Sequence, residues 1–127
     1  MIDKEKEIFE AVATALRKAF KSIYVIGAEM SSSPPKFPAV SLVQTNNAIK
    51  TEHSTFGSLE NVASEDYKAE VYSNLEKGKE AQTKEITSII SDVMSSLGYA
   101  RTFCEVVQNN DSTINRRMSR YRKNNVI

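Results

Sequence analysis

Between Asp66 and Val107 the spacing of apolar residues changes period twice, and few folds accommodate that change. Tyr67, Ala69 and Val71 alternate with Lys68, Glu70 and Tyr72, the two-residue repeat of a half-buried strand over 66–74. After Gly78, the residues Ile86, Ile89, Ile90, Val93, Met94 and Leu97 recur at helical spacing, which draws one apolar stripe along a helix. Gly98 stands just past the stripe, where a left-handed cap favours glycine. Residues 99–107 then return to strand-like composition. A strand–helix–strand unit of this kind needs a sheet to lie on.

The rest of the chain supplies one. Residues 3–19 predict a first helix, with Ile8, Val12, Ala15, Leu16 and Ala19 at helical intervals, widened by Phe9, Ala13 and Phe20. Asp3 is the expected N-cap; acids crowd the first turn while Arg17, Lys18 and Lys21 close the helix, an order that complements the helix dipole. Residues 22–26 predict a strand closed by Gly27. Pro34, Pro35 and Pro38 exclude a helix in 31–38 and make it a stiff connector rather than a recognition motif. A second strand follows at 39–45. Residues 46–65 have no sustained period, which suggests a long hairpin arm or flexible excursion, with 48–52 extending the sheet. After a polar turn at 108–112, the last strand is expected at 113–122, forming an antiparallel hairpin with its predecessor. Together these predict a single α+β domain over 1–127 in the order α-β-β-β-α-β-β. The expected architecture is a mostly antiparallel sheet of about five strands with both helices on one face.

Charge and composition exclude several function classes. Seventeen basic residues nearly balance sixteen acidic ones, for a net charge of +1. No global electrostatic case for nucleic acid or an anionic membrane follows. The single cysteine, Cys104, cannot close an internal disulfide. No apolar run reaches the roughly 18–20 residues that span a bilayer. The charged N-terminus lacks a signal-peptide apolar core, so a soluble protein made in a cytoplasm is expected.

The catalytic inventory is thin. His53 is the only histidine and lies in the polar excursion, without a partner at fixed spacing. Cys104 lies mid-strand between Phe103 and Glu105, where a half-buried thiol is expected rather than a nucleophile. The glycines are scattered, so no phosphate-cradling loop is present. The acidic pairs Glu65–Asp66 and Glu76/Glu80 read as solvated surface. No enzyme is expected, and no cofactor or metal. The basic run Arg116, Arg117, Arg120, Arg122 and Lys123 stands out. On a strand, Arg116, Arg120 and Arg122 share a face with Ile114 and Met118, while Arg117 shares the other with Asn115, Ser119 and Tyr121. Such a run can bind phosphate or carboxylate groups, charge an edge strand against aggregation, or meet an acidic patch on a neighbouring subunit. Subunit contact is favoured over the other two.

Three stretches carry a family resemblance. They are Pro35-Lys36-Phe37-Pro38-Ala39-Val40-Ser41-Leu42-Val43, then Tyr67-Lys68-Ala69-Glu70-Val71-Tyr72-Ser73-Asn74 with Gly78-Lys79 and Met94-Ser95-Ser96-Leu97-Gly98, and finally Phe103-Cys104-Glu105 with Thr113-Ile114, Arg117 and Arg120-Tyr121-Arg122. Together they resemble the small tail terminator (tail completion, or minor tail) proteins of long-tailed phages and prophages of Gram-positive bacteria. The resemblance implies an α/β fold that assembles as a hexameric ring in the virion, after synthesis in the host bacterial cytoplasm. Such a ring caps the head-proximal end of the tail tube, stops polymerisation and joins the tail to the neck. The implied partners are further copies of the chain, the major tail tube protein and a head-completion or neck protein, with neither membrane nor sequence-specific nucleic acid. Within that frame Arg116, Arg117, Arg120 and Arg122 are candidates for subunit or ring contacts. Lys50, Glu52, His53 and Phe56, in the excursion, are candidates for tube or neck contacts. Another head–tail connector is the nearest alternative, and a small nucleic-acid-binding module a more distant one.

Overall fold

A computed structural model describes residues 5–29, 34–50, 62–109 and 113–126. Helix α1 (Glu5–Ala19) buries Ile8, Val12, Ala13 and Leu16, with Glu5 and Glu7 in its first turn and Arg17 and Lys18 in its last. The expected cap Asp3 lies outside the described residues. Strands β1 (Tyr24–Ile26), β2 (Ala39–Lys50) and β3 (Val62–Ser73) precede helix α2 (Lys79–Ser96), and β4 (Ala100–Val107) and β5 (Asn115–Val126) follow it. The element order is the expected one.

The five strands form one sheet in the order β1-β2-β3-β5-β4. It is mixed rather than mostly antiparallel, because β1 runs parallel to β2, pairing Tyr24 with Ala39 and Ile26 with Ser41. A parallel pair needs a connection of roughly a dozen residues, and twelve positions separate Ile26 from Ala39. The remaining pairs, β2–β3, β3–β5 and β4–β5, are antiparallel. Since β3 and β4 both run opposite to β5, they are parallel to each other with β5 between them, a split β-α-β unit. The strand–helix–strand pattern is therefore present, but its two strands are not neighbours.

Both helices lie on one face. Val25, Val40, Leu42, Tyr67, Ala69, Val71 and Tyr121 from the sheet pack with Val12 and Leu16 of α1 and with Ile86, Ile90 and Met94 of α2. On the opposite face a smaller cluster joins Ala39, Tyr72 and Ile114, covered by Tyr24 and Phe37. The expected half-buried strand is consequently buried on both sides at its middle, with Glu70 1% and Tyr72 0% exposed. Alternation identified the two faces but could not show that the connector's Phe37 covers the second one.

The excursion begins as a hairpin arm. Beyond a bulge between Gln44 and Asn46, β2 continues to Lys50, in register with β3 from Asn46↔Asp66 to Lys50↔Val62. Strand β5 follows the same arm, so that Val126 pairs with Val62. Residues 51–61 lie outside the described residues, and with them Glu52, His53 and Phe56.

At the other end of α2, Gly98 has φ 92°. Tyr99 N donates to Met94 O over 2.9 Å and Gly98 N to Ser95 O over 3.0 Å. This paired closure is a Schellman cap. It turns the chain directly into β4, which sets the separation between α2 and that edge strand.

Candidate functional site

The arginines of β5 divide as the two-residue repeat predicts, and the division separates their chemistry. Arg116, Arg120 and Arg122 lie opposite Tyr72, Lys68 and Asp66 on the face away from the helices. Arg116 is ion-paired with Glu70 and sits 5.3 Å from the centroid of the Tyr72 ring. Arg122 grips Asp66 with two bonds, Nε to Oδ1 at 2.7 Å and Nη2 to Oδ2 at 3.0 Å. Lys68 adds Glu29 at 2.7 Å and Glu70 at 3.3 Å. Arg116 and Arg122 are thus engaged within the chain, and of the three arginines on this face Arg120 alone has no ion pair among the described residues.

Glu65 and Asp66 are not the solvated pair expected from composition. Glu65 is buried and accepts a bond from Tyr99 Oη at 3.0 Å; Asp66 holds Arg122. Charge alone could not reveal this, because the partners come from residues 34 and 56 positions away.

Arg117 faces the other way, opposite Val71 and beneath α2. Helix α2 covers β3 and β5 but makes little contact with β4. The helix-side residues of β4 therefore stay partly open, with Cys104 half-buried and Val106 49% exposed. Between α2 and β4 lies a groove of about 610 Å³, whose walls include Lys84, Thr87, Ser91 and Asp92 from α2, Arg101 from β4 and Arg117 from β5.

Hydrogen bonds fix the back of this groove. Ser119 Oγ donates to Tyr121 Oη over 2.9 Å, and Tyr121 Oη and Ser91 Oγ are 2.8 Å apart. Arg101 Nη1 reaches Ser91 Oγ at 3.4 Å. Burial raises the Tyr121 phenol above its ordinary pKa, against the opposing effect of the bonds from Ser119 and Ser91. Arg117 is only 9% exposed. Its one side-chain hydrogen bond among the described residues is a long one, from Nε to Thr83 Oγ1 at 3.5 Å, and no described carboxylate pairs with it. Thr87 is 3% exposed, and its Oγ1 has no hydrogen-bond partner.

Sequence reasoning named Arg117 but grouped it with three arginines on the opposite face. It passed over Thr87, Ser91, Arg101 and Lys84. A usable signal was present, since Thr83, Thr87, Ser91 and Ser95 recur every fourth residue as a hydroxyl row beside the apolar stripe. Of the four excursion candidates, Lys50 ends β2, in register with Val62, and the other three fall outside the described residues.

Among the described residues no three His, Cys, Asp or Glu side chains gather in a way that could hold a metal ion. No described helix is long and apolar enough to cross a membrane. Comparison with protein-family models and with curated proteins finds no match to this chain.

Proposed function

We propose that this chain is a structural virion protein, one copy of a ring that caps the head-proximal end of a phage tail tube and joins it to the neck. The resemblance in sequence motivates the proposal. The observation in its favour is that the two ends of the sheet are chemically unlike. On the β1 side, where Glu5 and Lys6 lie beside Gly27 just past β1, α1 opens with the exposed acids Glu5, Glu7 and Glu10 against the single exposed base Lys6. At the β4 end, the groove carries Lys84, Arg101 and Arg117 against one acid, Asp92. A closed ring needs two different complementary surfaces per copy, meeting head to tail, and opposite charge at opposite edges meets that need. Strand β4 adds an eight-residue sheet edge open to a neighbour.

No catalytic role is proposed. Nucleic-acid binding is disfavoured by the pairing of Arg116 with Glu70 and Arg122 with Asp66, which leaves no continuous basic stripe. Mass measurement of the protein with and without purified tail tubes tests the proposal. The expected result is a closed assembly of fixed copy number that binds tube ends. R101E should weaken it, and combining R101E with E5K and E7K should restore it. A chain that stays monomeric beside purified tubes would overturn the proposal.

A further inference from the structure

We infer that the groove between α2 and β4 is an oxyanion-binding site, built around Arg117 and Thr87, that accepts a carboxylate- or phosphate-type group. Its basis is the donor balance of the groove, independent of the virion proposal. A guanidinium carries five N–H donors and a permanent charge. Arg117 commits only Nε, at 3.5 Å to Thr83 Oγ1, and its terminal N–H groups have no partner among the described residues. The residue is 9% exposed, so its terminal N–H groups meet water only through the groove, and a largely desolvated charge without a counter-ion favours an anion there. The contrast within the same strand is direct, because Arg116 and Arg122 each hold a carboxylate.

The neighbouring hydroxyls point to the same chemistry. A helical threonine commonly donates to the carbonyl one turn earlier, yet Thr87 Oγ1 is buried without any partner on the groove wall. Ser91 adds a further polar group to the wall: its Oγ accepts from Arg101 Nη1 at 3.4 Å and lies 2.8 Å from Tyr121 Oη, a contact in which either hydroxyl can donate. Arg117 thus keeps unspent donors, the buried Thr87 hydroxyl behind the wall has no partner, and Lys84 and Arg101 supply further positive charge against the single acid Asp92. An oxyanion, which only accepts, is the complement, and the planar guanidinium can grip two of its oxygens. The groove's volume, about 610 Å³, falls in the range of small-ligand sites. It exceeds one carboxylate, so the anionic group arrives with water or attached to a larger body.

The test is a titration of the full chain at low ionic strength with inorganic phosphate, with acetate, and with chloride as control, read by NMR. Saturable binding is expected for phosphate and acetate. It should perturb the Arg117 side-chain N–H and the amides of Thr87 and Ser91, and leave Arg116 and Arg122 unmoved. R117M should fold with equal or greater stability in the absence of anion, since it removes an uncompensated charge, and should lose affinity by about tenfold or more. T87V, which keeps the side-chain shape, should weaken binding several-fold and carries the test alone if R117M does not fold. Shifts that follow ionic strength equally in chloride, or affinity unchanged in a folded R117M or T87V, would overturn the inference. Light scattering during the titration identifies the source of the natural anion. Phosphate that dissociates an assembly marks an acidic side chain of another copy, and binding at constant mass marks a free small anion. A monomer that binds phosphate through Arg117 keeps this site while the ring proposal fails.

Discussion

Tyr99 donates its phenolic hydrogen to the buried Glu65 carboxylate over 3.0 Å, joining the first residue after the α2 cap to the middle strand of the sheet. The Tyr67 ring meets Tyr99 edge-on, with centroids 5.4 Å apart and planes at 86°. Burial above all, then Tyr67 and Glu65, raises the Tyr99 phenol well above its ordinary pKa, so it remains a donor at any physiological pH. Y99F keeps the ring and removes only the donor. Leaving a buried acceptor short of its bond costs about 1–3 kcal/mol. Urea denaturation should show a lower midpoint with unchanged slope, since little surface exposure changes.

Two arginines on the same face of β5 should differ sharply in their effect on stability. Arg116 is paired with Glu70, whose side chain is 2% exposed. R116A strips the principal counter-charge from a buried carboxylate and leaves it only Lys68 at 3.3 Å. The expected loss is about 3 kcal/mol, the lower end for breaking a buried pair. Arg122 is exposed, and the water around its bond to Asp66 screens the interaction. R122A should shift the denaturation midpoint much less than R116A. Equal losses in the two variants would contradict this burial argument.

The features legible in the sequence were those set by local repeats. The two-residue alternation at Tyr67–Tyr72 and at Arg116–Arg122 assigned each side chain to its correct face, because pleating fixes that geometry regardless of neighbours. The stripe from Ile86 to Leu97 and the glycine at 98 located α2 and its end for the same reason. Long-range pairings were not legible. That β5 inserts between β3 and β4, that Phe37 covers Tyr72, and that Glu70 and Asp66 hold Arg116 and Arg122 all depend on residues brought together from distant positions. The groove was missed on the same grounds. It exists because α2 crosses β3 and β5 and stops short of β4, and no spacing within α2 encodes where β4 will lie.

Gly98 can be replaced only at the expense of the cap it forms. Its φ of 92° lies in the left-handed region, and an added Cβ would come within 3.2 Å of Lys123 Cε and 3.3 Å of Lys123 Nζ. Lys123 Nζ donates to Leu97 O over 2.9 Å, placing a cation at the negative end of α2. G98A therefore combines left-handed strain with displacement of this lysine. The expected cost is about 1–2 kcal/mol, with G98N intermediate because asparagine tolerates the region better. Thermal denaturation of the two variants, compared with K123M, separates backbone strain from the lost lysine contact.

Alkaline pH should destabilise the protein through its buried phenols, and Tyr72 provides the clearest case. Burial first, and then the Glu70 charge, push its pKa from 10.0 up to about 12. In the unfolded chain the phenol ionises near its ordinary value, whereas in the folded chain it keeps its proton until near the raised one. Between these pH values the unfolded state holds fewer protons, so stability falls as pH rises; the contribution is fully present below the unfolded value and is lost by the folded one. Tyr99 and Tyr121 are shifted in the same direction, again chiefly by burial. Phenolate absorbance should therefore rise late for these three tyrosines and coincide with unfolding followed by circular dichroism. Tyr72 Oη has no hydrogen-bond partner, so Y72F removes an unpartnered buried hydroxyl along with the titrating group. It should be at least as stable as the parent at neutral pH and should unfold at higher pH, and an alkaline midpoint unchanged by Y72F would exclude Tyr72 from the transition.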